Sequence, residues 1–409
     1  MSHRGNLLLI ILVLILSLAT GASADKDMDL LTLPWEEIEE LASGQTVHIY
    51  MWGGNNGTNI FIDQWVAPRL KERYGITLER VPVTDIREMI MKLLAEKQMG
   101  RHTGSADILW INGENFRLAM EEGLLWAPFT YILPNYIRYV DPSADDLNMD
   151  FGKATEGYEA PWGKAQFVMI CNSAFVPDPP ETMEELAGFI KAHPGRFTYP
   201  SPPDFTGSCF VRQVLLDRSR SSAPSCQGSQ NDLPPDRSET WDFLNRLKPY
   251  LWRKGNTYPE TIGILDQLYA NGEVWFSMNY NPLHAFNQIS QGSFPESSRT
   301  FLFRGGTFSN THYLTIPFNA KSKAGAMVTI NLFLSPEGQI EKLKPGVWGD
   351  GMVLDPAKLD TRQRKDLEKI GSGPSSLPHG ILAQNRIPEL SSEEIESIEK
   401  EWMEQVGKK

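Results

Sequence analysis

The chain is built from short apolar runs of strand length, each followed by apolar residues that recur at helical spacing. Ala106–Ile111 is such a run, and beyond it Phe116, Ala119 and Met120 follow a helical period until Gly123. The pattern predicts a strand, a tight turn over Asn112–Asn115 and a helix, the turn being either a solute site or an ordinary β-to-α turn with Asn as its cap. Two similar units precede it. Thr46–Trp52 reads as a strand broken by a Gly/Asn-rich segment, and Ile60–Tyr74 as a helix closed by Gly75, with Pro68 implying a kink or a late start. Ile76–Val83 reads as the next strand, and Asp85 with Glu88 offers a capping box for a helix running to Gly100. Three consecutive β-α units imply a parallel sheet with right-handed crossovers, which places Trp52–Asn56, Thr84–Asp85 and Asn112–Asn115 on one edge. Ligands of open α/β sheets bind at that edge, where the free N–H groups of helix starts also point.

Further along, Pro34–Gly44 predicts a short amphipathic helix, Ala165–Cys171 a buried strand, and Thr182–His193 a capped helix. A Pro-rich loop at Pro200–Gly207 precedes another helix, and Glu260–Asn271 is helical. Gly272–Pro282 reads as a strand ending in polar and aromatic residues. Arg299–Phe303 and Thr311–Phe318 flank a turn at Gly305–Asn310, Lys321–Leu334 reads as a helix, and the tail ends in the amphipathic segment Ser391–Val406. The Ser/Pro/Asp/Gln-rich residues 219–238 read as a surface insertion with no assigned chemistry.

The 409 residues are too many for one core and suggest two lobes. Residues 1–24 carry Arg4, the apolar run Leu7–Leu16 and a small-x-small site at Ala22–Ala24, the pattern of a cleaved secretory signal peptide. Its removal takes away one cation and no acid, so the mature chain is one unit more negative than the formal −12 of the whole. That balance makes nucleic acid an improbable partner and favours a monomer, without fixing the sign of the field in any cleft. Of the three cysteines, Cys209 and Cys226 could pair in an oxidising compartment, whereas Cys171 in an apolar run reads as a buried thiol.

The mature sequence holds no P-loop, H-E-x-x-H, G-x-S-x-G or dinucleotide fingerprint, and its histidines are scattered, so no metal, cofactor or catalytic residue is expected. Trp52, Trp110, Trp162, Trp275 and Tyr280 each fall beside an expected strand end or crossing. With Gly53, Asn55, Asn112, Glu114, Asp204 and Asn279, all of these but Trp275 make up a candidate ligand-binding set, apolar with a few placed polar groups. Glu114 carries the expectation about charge. A carboxylate among aromatic faces favours a small cationic or ring-bearing solute, against the plainer reading that it accepts bonds from the local helix N–H groups. The competing class is a secreted enzyme with Glu114 as general acid and Asp204 or Asp85 as its partner, which needs two carboxylates with pKa values pushed apart.

A series of short words runs through nearly the whole mature chain: MWGG at Met51–Gly54, YGITL at Tyr74–Leu78, DILWINGENF at Asp107–Phe116, PWGKAQ at Pro161–Gln166, PGRFTYP at Pro194–Pro200, KAGAM at Lys323–Met327 and VWGD at Val347–Asp350. In their order and spread they resemble the solute-binding components of ABC importers, and among those the YnjB-type family. The resemblance implies a type II-like periplasmic binding protein: an α/β fold of two lobes, each a central mainly parallel sheet flanked by helices, with the ligand cleft between them. It implies lobe 1 over 25–158 and 279–317 and lobe 2 over 159–278 and 318–409, hinged near Glu156–Trp162, Met278–Pro282 and Ile316–Asn319. It also implies a periplasmic location and delivery of a small organic solute, thiamine-like in the broad sense, to a membrane permease driven by an ATPase. Residues 217–238 match the family least.

Overall fold

The computed structural model describes residues 30–222, 233, 236–344, 346–370 and 375–407. The expected signal peptide, Cys226 and the centre of the 217–238 insertion lie outside them. Cys171 and Cys209 are buried free thiols.

The first sheet grows from the three predicted units. β1 (Thr46–Trp52) pairs in parallel with β2 (Thr77–Val83) and with β3 (Ile108–Ile111). Alternate β1 residues Val47, Ile49 and Met51 are fully buried. Pro68 marks a late start of the regular α-helix. Phe61–Val66 is wound as a π-turn, and α-helix resumes at Ala67 with Pro68 in its first turn, where a missing N–H costs least. The capping box expected at Asp85 and Glu88 is absent: the helix starts at Arg87, and Asp85 Oδ1 accepts from the Arg87 N–H at 2.9 Å.

A two-residue hairpin, β4 (Met149–Asp150) with β5 (Lys153–Ala154), leads to β6 (Glu159–Gln166), which runs on almost directly into β7 (Val168–Asn172). β7 is the middle of a second sheet, flanked by β8 (Phe276–Asn279) and β9 (Ser298–Phe301), both antiparallel to it. In this detail the fold departs from the expected mainly parallel second sheet. A short strand covered on both faces has the same apolar pattern in either direction, so the pattern does not specify it. β10 (Thr307–Thr315) returns to the first sheet, antiparallel to both β3 and β6 and joined by β11 (Arg386–Pro388).

Packing places the two cores at different points of the chain from those expected. The first core, under β1, holds side chains from Leu30 to Trp162 and from Leu314 to Leu359, apart from Met89–Leu93 and most of Ala106–Leu125, which form a separate cluster of their own. The second holds those from Ala165 to Phe308 and from Ile387 to Val406. Residues 279–308, expected in lobe 1, pack in the second core, and 320–359, expected in lobe 2, pack in the first. The Lys323–Phe333 helix explains the second difference, because it is buried along its whole length, with Ser322 Oγ donating to Thr46 O at 2.7 Å beside β1. β6 and β10 change cores in mid-strand: Trp162 and Leu314 lie in the first, Ala165 and Phe308 in the second.

Candidate functional site at the crossing of the two cores

At the end of β3 the chain turns through Gly113, whose φ of +60° suits glycine and whose N–H donates to Asp150 Oδ2 at 2.6 Å. Asn112 is not the helix cap. Its Nδ2 donates to Thr311 O on β10 at 2.6 Å while its Oδ1 accepts the Trp110 indole N–H at 3.1 Å, so it ties the turn to the crossing strand. Trp110, half-buried, meets Trp162 and His312 edge to face at 5.1 and 4.9 Å, and His312 stacks on Trp348 at 6.0 Å. Trp162 itself is fully buried against Phe333 and Trp348 and acts as packing.

Glu114 lies beside the Gly113 turn, but it is not a free carboxylate. Arg87 pairs with it at 2.9 Å, and its side chain stays 40% exposed. From the Ser392–Trp402 helix, Glu396 comes within hydrogen-bonding reach of it. That contact, then burial and charge repulsion, raises the Glu396 pKa. Arg117 meets Glu393 across the same contact at 3.2 Å. The carboxyl pair sought by the enzyme reading thus involves neither Asp204 nor Asp85, and it lies in a solvent-open helix contact closed by arginines.

The remaining candidates are spread over both cores. Trp52 is half exposed at the end of β1, with its ring over Gly54. Gly53 packs so closely on Pro82 that a Cβ would come within 2.6 Å of the proline ring. Asn55 caps the next helix, Oδ1 accepting from Thr58 N–H at 3.0 Å. In the second core, Asp204 Oδ1 accepts from the N–H groups of Thr206 and Gly207, and Oδ2 from that of Ile262 at 3.0 Å, so both oxygens pin helix starts. Asn279 holds its own turn through the Asn281 N–H. Tyr280 is buried, its hydroxyl shared between Glu389 and Arg212, which pair at 3.1 Å.

The crossing also gathers side chains outside the candidate set. Lys164 on β6 pairs with Asp146. Asp350 is met by His312 at 3.5 Å and by Lys342 at 3.7 Å, and the Lys342 ammonium also donates to Gly351 O at 2.6 Å. Burial alone would raise Asp350, yet the facing His312, Lys342 and Arg386 hold it below the ordinary carboxylate range. Burial pushes Lys342 down to about 8 and also lowers Lys164 and Arg386. Lys164 and Asp350 stand in words the sequence displays, but only pairing of β6 with β10 brings Gly163 opposite His312. Among the described residues no cluster of ligating side chains suits a metal ion.

Residues 65–360 match the family model described as bacterial extracellular solute-binding protein. The chain belongs to this family. A similar relative of this solute-binding protein is Protein YnjB of Escherichia coli (strain K12), 39% identical over 380 residues, covering 91% of this chain and 94% of that one. Its fold is that of two-lobed binding proteins. An ABC transporter substrate-binding protein from Bradyrhizobium japonicum USDA 110 superposes with a TM-score of 0.63 at 16% identity, over 88% of this chain and 99% of its own. The spermidine/putrescine substrate-binding protein PotD from Streptococcus pneumoniae strain Canada MDR_19A gives 0.61 at 14%, over 88% and 99%. By family, then, the chain is a bacterial extracellular solute-binding protein.

Proposed function

We propose that this protein is the periplasmic receptor of an ABC importer, closing on one small organic solute between its two cores and presenting the closed form to a membrane permease and its ATPase. The observation that carries the reading is the mid-strand change of core in β6 and β10, with Trp110 and His312 at that point. A few crossing residues can absorb the backbone change of a hinge while two rigid bodies enclose a ligand. The aromatic edges support a ring-bearing solute. The cationic half of the sequence expectation loses its support, because Glu114 already has Arg87.

A thermal-shift screen of nutrient solutes, followed by small-angle scattering, tests the reading. A solute at about a hundred times its dissociation constant should stabilise the fold by roughly 2.7 kcal/mol, and the same solute should reduce the radius of gyration. If the solutes that stabilise the fold leave its dimensions unchanged, or none stabilises it, the receptor reading fails.

A further inference from the structure

The crossing of the cores holds more positive charge than its own carboxylates answer. Asp146 takes Lys164, and Asp350 takes Lys342 and His312. Arg386, at the first position of β11, is left over: among the described residues its Nε has no hydrogen-bond partner, and no carboxylate reaches ion-pair distance of its guanidinium. It feels Asp146 and Asp350 only through longer-range attraction. Its side chain is largely buried but keeps an edge to solvent. A buried, unpaired guanidinium is expensive, and burial with an incomplete set of partners favours a ligand that supplies the missing one.

Geometry focuses the charge on one spot. A Cβ placed on Gly351 would lie 2.8 Å from Arg386 Nη2 and 3.0 Å from Lys164 Cβ, so the tip of Arg386 rests over Gly351 beside the root of the Lys164 side chain, where a larger residue would displace it. Gly351 is fixed there by paired backbone hydrogen bonds with Lys164 at 3.0 and 2.7 Å. His312 follows one strand over, with the half-buried edge of Trp110 against its ring. A planar fork with an unpartnered Nε, on the same crossing as the Lys164 side chain, fits a group with two or three anionic oxygens.

We propose that Arg386 and Lys164 bind the anionic group of the solute, a carboxylate or a phosphate monoester, with the ring of the solute lying against Trp110 and His312. This rests on the receptor reading and gives it a substrate class opposite in charge to the one Glu114 suggested.

Benzoate, phenyl phosphate and benzylamine share a ring and differ in charge. Their effects on the melting of the mature protein are compared at equal concentration, with affinities from intrinsic tryptophan fluorescence. At least one of the two anions should stabilise the fold, the stronger of them naming the anionic group, and benzylamine should not. Arg386→Gln should weaken that anion about tenfold or more, and the unliganded variant should melt no lower than the parent because an uncompensated buried charge is gone. Lys164→Gln gives a second, smaller loss. Unchanged anion affinity in Arg386→Gln, or silence from both anions, overturns the proposal. Stabilisation and compaction by a cationic solute alone also overturn it while leaving the receptor standing; silence from every solute removes both.

Discussion

The two cores meet through charged side chains in two contrasting places. Where the Glu114–Glu121 helix faces the Ser392–Trp402 helix, Glu114 and Glu396 approach each other in the open, with Arg87 and Arg117 at hand. Where β6, β10 and β11 cross, Lys164, Lys342 and Arg386 are largely buried with two carboxylates. Water screens the first set and allows charges to rearrange at little cost. It cannot do so for the second, so an imbalance there is held at a cost in stability. Residual unpaired charge is therefore informative at the crossing and uninformative at the helix contact. The candidate that looked chemical from its type, Glu114, falls in the uninformative region.

The comparison is broken most severely by Asp350→Asn. Lys342, with no exposed side-chain surface, would lose its countercharge, and removal of one partner of a buried pair costs about 3–5 kcal/mol. Urea unfolding midpoints measure this; a loss no larger than a surface substitution gives would show that the crossing is screened after all.

The buried acids beside the first region respond to pH. Burial raises Asp150 to about 8 against its ordinary 3.8, outweighing the Gly113 N–H bond. Below the lower value both folded and unfolded chains carry the proton, and between the two values only the folded chain holds it. Stability therefore falls as pH rises through that window and levels off above it, by at most about 1.4 kcal/mol per pH unit from this group. Asp150→Asn keeps an acceptor for Gly113 and should reduce the slope of stability against pH between those limits. An unaltered slope would mean that Asp150 is ionised in the fold. Glu159, also raised by burial, adds a slope of the same sign that the variant keeps.

Smallest of all should be Glu114→Gln, which removes one of two like charges in the exposed contact. Its effect on stability should lie within about 0.5 kcal/mol. The sharper readout is the carboxyl carbon resonance of Glu396, which should titrate closer to the ordinary glutamate value in the variant because its first-named perturbation is Glu114. An unshifted titration would place the two helices apart in solution.

The local grammar of the fold was legible without coordinates. β1 is the predicted strand residue for residue, and the helices Trp35–Ala42, Met183–Ala192 and Ile262–Ala270 fall within their predicted spans, since their periods and caps are properties of neighbouring residues. Thr182 caps as its position suggests, whereas Thr261, expected inside its helix, proves to be the cap; each accepts from an N–H three residues on. The segment Gly305–Asn310 was misread as a turn: β10 begins at Thr307 because pairing with β6 and β11 outweighs the local preference of glycine, serine and asparagine. The strand-edge argument places Asn112 at the end of β3, where it lies, but carries no sign of its bond to Thr311, 199 residues away.

By itself, then, the sequence determined the parallel β-α start, most helix limits and the family, all encoded in contiguous residues or words. Only the tertiary structure decided which side chains share a core and which charges lack partners. Lys164, His312, Asp350 and Arg386 come from four separate segments, and nothing in the spacing of one reports on the others. Burial and countercharge are properties of the space around a side chain, and that space exists only once β6, β10 and β11 have crossed.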